Sequence, residues 1–141
     1  MKHYYAVIDT NVLVSAALKW ESVPGSILDL AFAGVIVPCL NDEILDEYWE
    51  VLSREKSHFP KETVEDIING IRLHSVFLNP KESEEKLPDP GDRIFYEITM
   101  AGKDTQDTYL VTGNRKHFPK HEYVVSPRQM LDIVLQGANE E

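Results

Sequence analysis

The sequence contains one cysteine and no apolar stretch long enough to cross a membrane. One thiol cannot form an intrachain disulfide, so the 141-residue chain, 43% of it hydrophobic, must be stabilised by its own apolar core. Cys39 lies in the apolar run 35–40, which predicts a buried structural thiol. The chain reaches the acidic Asp9 before any segment of signal-peptide length, and we therefore expect a cytoplasmic protein.

Basic residues are scarce, since 14 Lys and Arg stand against 24 Asp and Glu, for a formal net charge of -10. Affinity for a phosphate backbone comes largely from Lys and Arg, so any RNA contact must be local. The segment 115–121 is the exception, because it contains Arg115, Lys116 and Lys120. It is either a solvated loop or a phosphate-binding one. His117, in the same segment, is interpreted as a packed loop histidine, with phosphate contact or a role as an acid as the alternatives.

Apolar periodicity and turn signals predict alternating strands and helices. Strands are predicted at residues 4–8, 35–38, 75–78, 109–112 and 123–125. Helices are predicted over 10–18, from Pro24 to a C′ position at Gly34, from an N-cap at Asn41 to about Ser53, over 60–73, over 93–101, and from Pro127 onward. Residues 81–86 are a charged linker. The alternation predicts a three-layer α/β/α domain with a mostly parallel sheet of about five strands. No repeat divides residues 1–141, and one domain is expected.

Polar side chains follow the first and fourth predicted strands. Asp9 comes directly after residues 4–8, and Thr112 and Asn114 close the strand and loop that begin at residue 109. The carboxyl ends of parallel strands meet at one edge of a sheet, so we expect these side chains to converge there.

Four segments occur in a characteristic order. They are Val7-Ile8-Asp9-Thr10-Asn11, the helix 44–54, the turn Asp89-Pro90-Gly91-Asp92, and the strand and loop Tyr109-Leu110-Val111-Thr112-Gly113-Asn114. Together they resemble the PIN-domain family, and within it the VapC-like toxin ribonucleases of toxin-antitoxin systems. The resemblance implies a metal-dependent endoribonuclease that acts on RNA, is silenced by a small antitoxin, and forms a homodimer.

By the same resemblance, the metal-binding carboxylates are Asp9, Glu47 and Asp92. Crowded carboxylates repel one another unless a hard cation such as Mg²⁺ or Mn²⁺ is bound between them. Such an ion can activate water for attack on a phosphodiester. The resemblance also implies a supporting polar shell, made up of Thr10, Asn11, Asp89 and Thr112.

The chain departs from the family pattern at Asn114, where many members carry Asp. An Asn carbonyl can still bind Mg²⁺ or a bound water, although one negative charge is lost. We therefore keep Asn114 as the fourth catalytic position. The alternative is a non-catalytic RNA- or protein-binding PIN module. A phosphatase with Asp9 as nucleophile is a weaker alternative, because the second acid such enzymes commonly use is replaced by Asn11.

Some of these assignments have rivals nearby in the sequence. Glu43 lies one helical turn before Glu47 and shares its helix face. Asp89 competes with Asp92, and either side chain could cap the following helix. Asp107 precedes the fourth strand at the end opposite the expected site, and we reject it as a ligand.

Overall fold

The computed structural model describes residues 2–139, which form five strands and six α-helices. The strands are β1 (Tyr4–Ile8), β2 (Ile36–Leu40), β3 (Val76–Phe77), β4 (Thr108–Val111) and β5 (Val124–Val125). The helices are α1 (Thr10–Leu18), α2 (Val23–Phe32), α3 (Asp42–Leu52), α4 (Lys61–Leu73), α5 (Arg93–Lys103) and α6 (Pro127–Asn139). Short 3-10 turns span Glu55–Ser57, Pro90–Asp92 and Arg115–His117. Within the described part of the chain, no helix combines the length and apolarity needed to cross a membrane.

The strands form a single sheet in the order β3-β2-β1-β4-β5, and every pairing is parallel. The prediction of a mostly parallel five-stranded sheet in an α/β fold is confirmed. Ala6, Val7 and Ile8 are all fully buried on β1. Successive residues of a strand face opposite sides of the sheet, so both faces of this central strand are covered. The chain order reverses between β1 and β4, and ligands commonly bind at the carboxyl ends of strands at such a switch point.

Several strand boundaries differ from those predicted. β2 extends to Leu40 because Cys39 and Leu40 pair with the two residues of the edge strand β3. Val35 is outside β2, since its amide donates to the carbonyl of Leu30 at the end of α2. β4 begins one residue earlier than predicted and ends at Val111.

Helix ends follow the predicted capping chemistry in two places, and in a third the structure decides between two candidate capping residues. Asn41 caps α3 by accepting a 2.9 Å hydrogen bond from the amide of Ile44, and Gly34 follows α2 with a φ of 81°. Ahead of α5, the capping side chain belongs to Asp89, which accepts from the amide of Gly91 at 2.9 Å. Asp92 occupies the N-cap position of α5 without a side-chain capping bond. Its carboxylate is therefore free for other contacts.

Tyr48 connects the elements that surround the carboxyl end of β1. Its buried hydroxyl donates a hydrogen bond to the carbonyl of Ile8, and its ring packs against Phe95 of α5 with centroids 6.3 Å apart. Burying such a ring contributes roughly 1.5–3 kcal/mol. Tyr48 thus fixes α3 and α5 relative to β1.

The thiol of Cys39 is 1% exposed, as the apolar run around it predicts. Burial raises the pKa of this thiol to about 12, so little reactive thiolate exists at neutral pH. Cys39 is a core residue.

Candidate active site

Asp9 lies immediately after β1, at the switch point of the sheet. Its backbone amide donates a 2.9 Å hydrogen bond to the carbonyl of Val111, the last residue of β4. Its carboxylate Oδ2 accepts a 2.7 Å hydrogen bond from Thr112 Oγ1. The carboxyl ends of β1 and β4 therefore meet, as expected for parallel strands.

The loop after β4 is held against the start of α1. Thr112 Oγ1 accepts a 3.0 Å hydrogen bond from the Asn114 amide while it donates to Asp9, and Asn11 Oδ1 accepts from the Gly113 amide at 3.3 Å. Thr10 is also buried, but its hydroxyl has no hydrogen-bond partner within residues 2–139. Thr112 and Asn11 thus support the backbone of the site, and Thr10 retains an unused hydrogen-bonding group.

Glu47 lies on α3 and is half-buried, whereas Glu43, one turn earlier, is exposed. Burial raises the pKa of the Glu47 carboxyl. The negative charges of Glu50, Asp9 and Asp89 raise it further, while the positive charge of Arg54 lowers it. The structure therefore brings Glu47 into electrostatic reach of Asp9.

Asp92 reaches the same region from the start of α5. Its side chain is 15% exposed, and Oδ2 lies 3.1 Å from Nδ1 of His117. Burial raises the pKa of the Asp92 carboxyl, with further contributions from the charges of Asp89 and Glu47, while His117 lowers it. For Asp9, burial also raises the pKa, the charge of Asp92 adds to the shift, and the Thr112 hydrogen bond opposes it.

His117 contacts two of the candidate site residues, a feature that its interpretation as a packed loop histidine does not include. Its Nε2 lies 2.9 Å from Nδ2 of Asn114, so Asn114, His117 and Asp92 form a chain of hydrogen bonds. The sequence signal for this contact is the spacing of three residues between Asn114 and His117. Side chains at that spacing are superposed when the intervening turn is a 3-10 helix, as it is here.

The site is rich in carboxylates but has no ready-made cluster of direct ligands. Among residues 2–139, no three His, Cys, Asp or Glu side chains lie close enough together to hold one metal ion. Over the same residues, no Lys or Arg forms an ion pair with Asp9, Glu47 or Asp92. The three carboxylates repel one another, and only Arg54 near Glu47 and His117 beside Asp92 oppose that repulsion among the described residues. Such a site favours a bound cation.

The basic segment begins at the edge of this site. Lys116 and Lys120 are exposed and form no ion pair with a carboxylate of the described residues, while Arg115 contacts Gln129 at 3.4 Å. A groove of about 1190 Å³ runs along the segment and is lined by residues between Gly113 and Val124. Positive charge is thus concentrated beside the acidic site.

Asp107 lies at the opposite end of β4, where it lines a separate cleft of about 270 Å³ with Lys2 and Tyr4. The fold therefore separates Asp107 from Asp9 and Thr112, as its position before the fourth strand predicts.

The fold and site define an α/β protein with an acidic centre at the switch point of a parallel sheet. A model of the PIN domain family matches residues 5–116, and the chain belongs to the PIN domain family. PIN domains are generally nucleases, and PIN nucleases usually use divalent metals. An uncharacterized protein of Methanocaldococcus jannaschii is 30% identical over 112 residues, which cover 77% of this chain and 70% of that protein. No solved structure matches the chain significantly.

Proposed function

We propose that the protein is a Mg²⁺- or Mn²⁺-dependent endoribonuclease in which Asp9, Glu47 and Asp92 hold the metal and Asn114 assists. The grouping of these carboxylates at the switch point, without Lys or Arg ion pairs within residues 2–139, carries the proposal. When bound, the metal would offset their repulsion and activate water for attack on the phosphodiester.

The donor set fits such an ion. Mg²⁺ is usually bound through one or two carboxylates and keeps several of its waters, so three direct protein ligands are not required. The buried hydroxyl of Thr10, unpaired within the described chain, can satisfy one further hydrogen bond beside Asp9.

Other residues would position the carboxylates and the substrate. Thr112 fixes the orientation of Asp9 through its 2.7 Å hydrogen bond. Arg115, Lys116 and Lys120 would contact the RNA backbone, because they supply local positive charge that the chain as a whole lacks. The RNA would then extend from the acidic site along the basic groove.

The decisive experiment is cleavage of single-stranded RNA by wild type, Asp9→Asn and Asp107→Asn, each with Mn²⁺ and with EDTA. Asp107→Asn is a matched control, because it removes the same charge at the opposite end of β4. We expect EDTA-sensitive cleavage by wild type and Asp107→Asn only. Wild-type cleavage by a folded Asp9→Asn variant would exclude Asp9 as a metal ligand.

We further propose that the protein is the toxin of a toxin-antitoxin pair, covered at its site by a small antitoxin, and that it forms a homodimer. The order of its four VapC-like segments supports this assignment. Expression of the wild-type protein in growing bacteria should arrest growth, whereas expression of Asp9→Asn should not. The homodimer is tested separately, since light scattering of the purified protein should give twice the chain mass. If the protein cleaves RNA but its expression does not arrest growth, the toxin assignment is wrong and the nuclease assignment still stands.

The second candidate is a non-catalytic RNA-binding PIN module. It is favoured by Asn114 and by the absence, within residues 2–139, of three closely spaced ligating side chains. RNA binding by wild type without cleavage at any Mn²⁺ concentration would establish this alternative.

A further inference from the structure

We propose that His117 is a positioning residue for Asp92, and that Asn114 selects the imidazole tautomer that performs this role. The effect of His117 on catalysis rests on the nuclease function proposed above, whereas the assignment of the imidazole tautomer does not depend on that function.

The chain of hydrogen bonds has a direction. Asn114 Nδ2 is an amide nitrogen and can only donate, so Nε2 of His117, 2.9 Å away, must accept. A neutral imidazole with a bare Nε2 carries its proton on Nδ1. Nδ1 lies 3.1 Å from Asp92 Oδ2 and therefore donates to the carboxylate.

Asp92 depends on this contact for its orientation. Its side chain makes no capping bond at the start of α5, and His117 is its hydrogen-bond partner among the described residues. A donor fixed on Oδ2 sets the rotation of the carboxylate and leaves Oδ1 for another partner. Hydrogen bonds of this kind to a ligating group typically change metal affinity or activity by about 10- to 100-fold.

The backbone holds His117 in place for this role. The His117 amide donates to the Asn114 carbonyl at 3.1 Å, and the Phe118 amide donates to the Arg115 carbonyl at 3.2 Å. Phe118 is buried, so it anchors the end of the 3-10 turn in the core. The His117 imidazole therefore bridges Asn114 and Asp92 from a 3-10 turn that is held by its own hydrogen bonds.

The pairing also explains why Asn suits position 114. An ionised Asp there could only accept a hydrogen bond, so Nε2 of a neutral His117 would have to carry the proton. Its bare Nδ1 would then face the Asp92 carboxylate, and two acceptors would oppose each other. Asn114 and His117 thus act as a matched pair, and Asn114 has a function beyond replacing a lost acid.

The first test reads the tautomer in ¹⁵N-labelled, metal-free protein by two-bond ¹H–¹⁵N NMR, at a pH where the ring is neutral. We expect Nδ1 to be protonated in wild type and Nε2 in Asn114→Asp. An Nε2-protonated ring in wild type would overturn the proposal. This measurement requires neither metal nor activity, so it stands even if the proposed nuclease function fails.

The second test compares His117→Asn with His117→Gln. The amide nitrogen of Asn lies as many bonds from Cβ as Nδ1 does, whereas that of Gln corresponds to Nε2. We expect His117→Asn to retain kcat and Mn²⁺ affinity within about threefold, and His117→Gln to lose about 10- to 100-fold in either quantity, with KM for RNA unchanged in both. Equal losses in the two variants, or a loss confined to KM, would contradict a positioning role.

Discussion

Thr112 Oγ1 donates a 2.7 Å hydrogen bond to Asp9 Oδ2, although 103 positions separate the two residues in sequence. The parallel register, in which Ile8 of β1 lies opposite Val111 of β4, places them side by side. The same hydroxyl accepts from the amide of Asn114 at 3.0 Å. One buried hydroxyl thus links the carboxylate after β1 to the loop that carries Asn114 and His117.

Replacing Thr112 by Val should therefore impair the site much more than replacing it by Ser. Val has nearly the same shape but leaves Asp9 without its donor and the Asn114 amide without its acceptor, whereas Ser keeps both bonds. We expect Thr112→Val to lose about 10- to 100-fold in RNA cleavage and about 1–3 kcal/mol in unfolding free energy. Urea denaturation and cleavage rates for both variants check this, and equal behaviour of Val and Ser would show that the hydroxyl is dispensable.

The raised pKa of Asp9 predicts a stability gain from Asp9→Asn in metal-free buffer. Burial, together with the charge of Asp92, raises the pKa of this carboxyl. The folded protein holds the proton more tightly than the unfolded chain does, so wild-type stability falls as pH rises through the unfolded and then the folded pKa. The Asp9→Asn variant has no carboxyl group to ionise at this position, so its stability does not fall in this way.

In EDTA at pH 7, Asp9→Asn should melt at a higher Tm than wild type, and the gap should narrow as pH falls toward the unfolded value of about 3.9. Added Mn²⁺ should raise the Tm of wild type more than that of the variant, because only wild type retains the full metal site. Calorimetry across this pH range tests both points. A gap that widens on acidification would show that Asp9 is stabilised as the anion.

Much of the architecture follows from local sequence signals. The bounds of β1 and α1 match the predicted 4–8 and 10–18, and the apolar positions Val64, Ile67 and Ile71 of α4 are buried as their spacing predicts. Apolar periodicity and capping residues act within a few positions of each other, so one sequence suffices to read them. The parallel topology then places Asp9 beside Thr112.

The remaining features of the site depend on distances between elements that are remote in sequence. The Tyr48 hydroxyl can donate to the Ile8 carbonyl, and His117 can contact Asp92, only when α3 and α5 are packed on the sheet. No periodic pattern marks such contacts. For a related reason the sequence does not decide between Asp89 and Asp92 as the capping residue, because both carboxylates lie within reach of the same turn.

Glu47→Gln should weaken Mn²⁺ binding by at least about tenfold, whereas Glu43→Gln should change it little. Glu47 is half-buried and in electrostatic reach of Asp9 and Asp89, while Glu43 is exposed one turn away. The two substitutions remove the same charge from the same helix. Calorimetric titration with Mn²⁺ compares them directly, and a larger loss for Glu43→Gln would mean that the wrong helical turn was assigned.

Replacing Arg115, Lys116 and Lys120 together by Gln should weaken RNA binding and its salt dependence. Each lost phosphate contact reduces the slope of log affinity against log salt by about 0.7 for a single strand, so the slope should fall by about 2. Replacing the exposed Lys19, Lys56 and Lys61, which lie outside the groove, by Gln is the matched control. Both variants should be made in the Asp9→Asn background to prevent cleavage. Equal slopes for the two would place the RNA elsewhere.

Asn114→Asp should separate metal affinity from catalysis. The new carboxylate adds negative charge beside His117 and Asp92, and two unit charges about 4 Å apart interact by roughly 4 kcal/mol at an effective dielectric near 20, before desolvation is subtracted. We expect Mn²⁺ to bind on the order of tenfold more tightly. At a pH where the ring is neutral, the same change removes the donor to Nε2 of His117, so Asp92 loses the hydrogen bond that orients it.

Cleavage by Asn114→Asp at saturating Mn²⁺ should accordingly be slower than wild type, by about 10- to 100-fold. Mn²⁺ dissociation constants and kcat measured on the same preparations distinguish the outcomes. Tighter binding with faster cleavage would mean that a fourth acid is simply missing and that the orientation of Asp92 by His117 is unimportant. Unchanged affinity would place the side chain of residue 114 too far from the metal to act on it by charge. Tighter binding with slower cleavage is the result expected if Asn114 serves the site through His117.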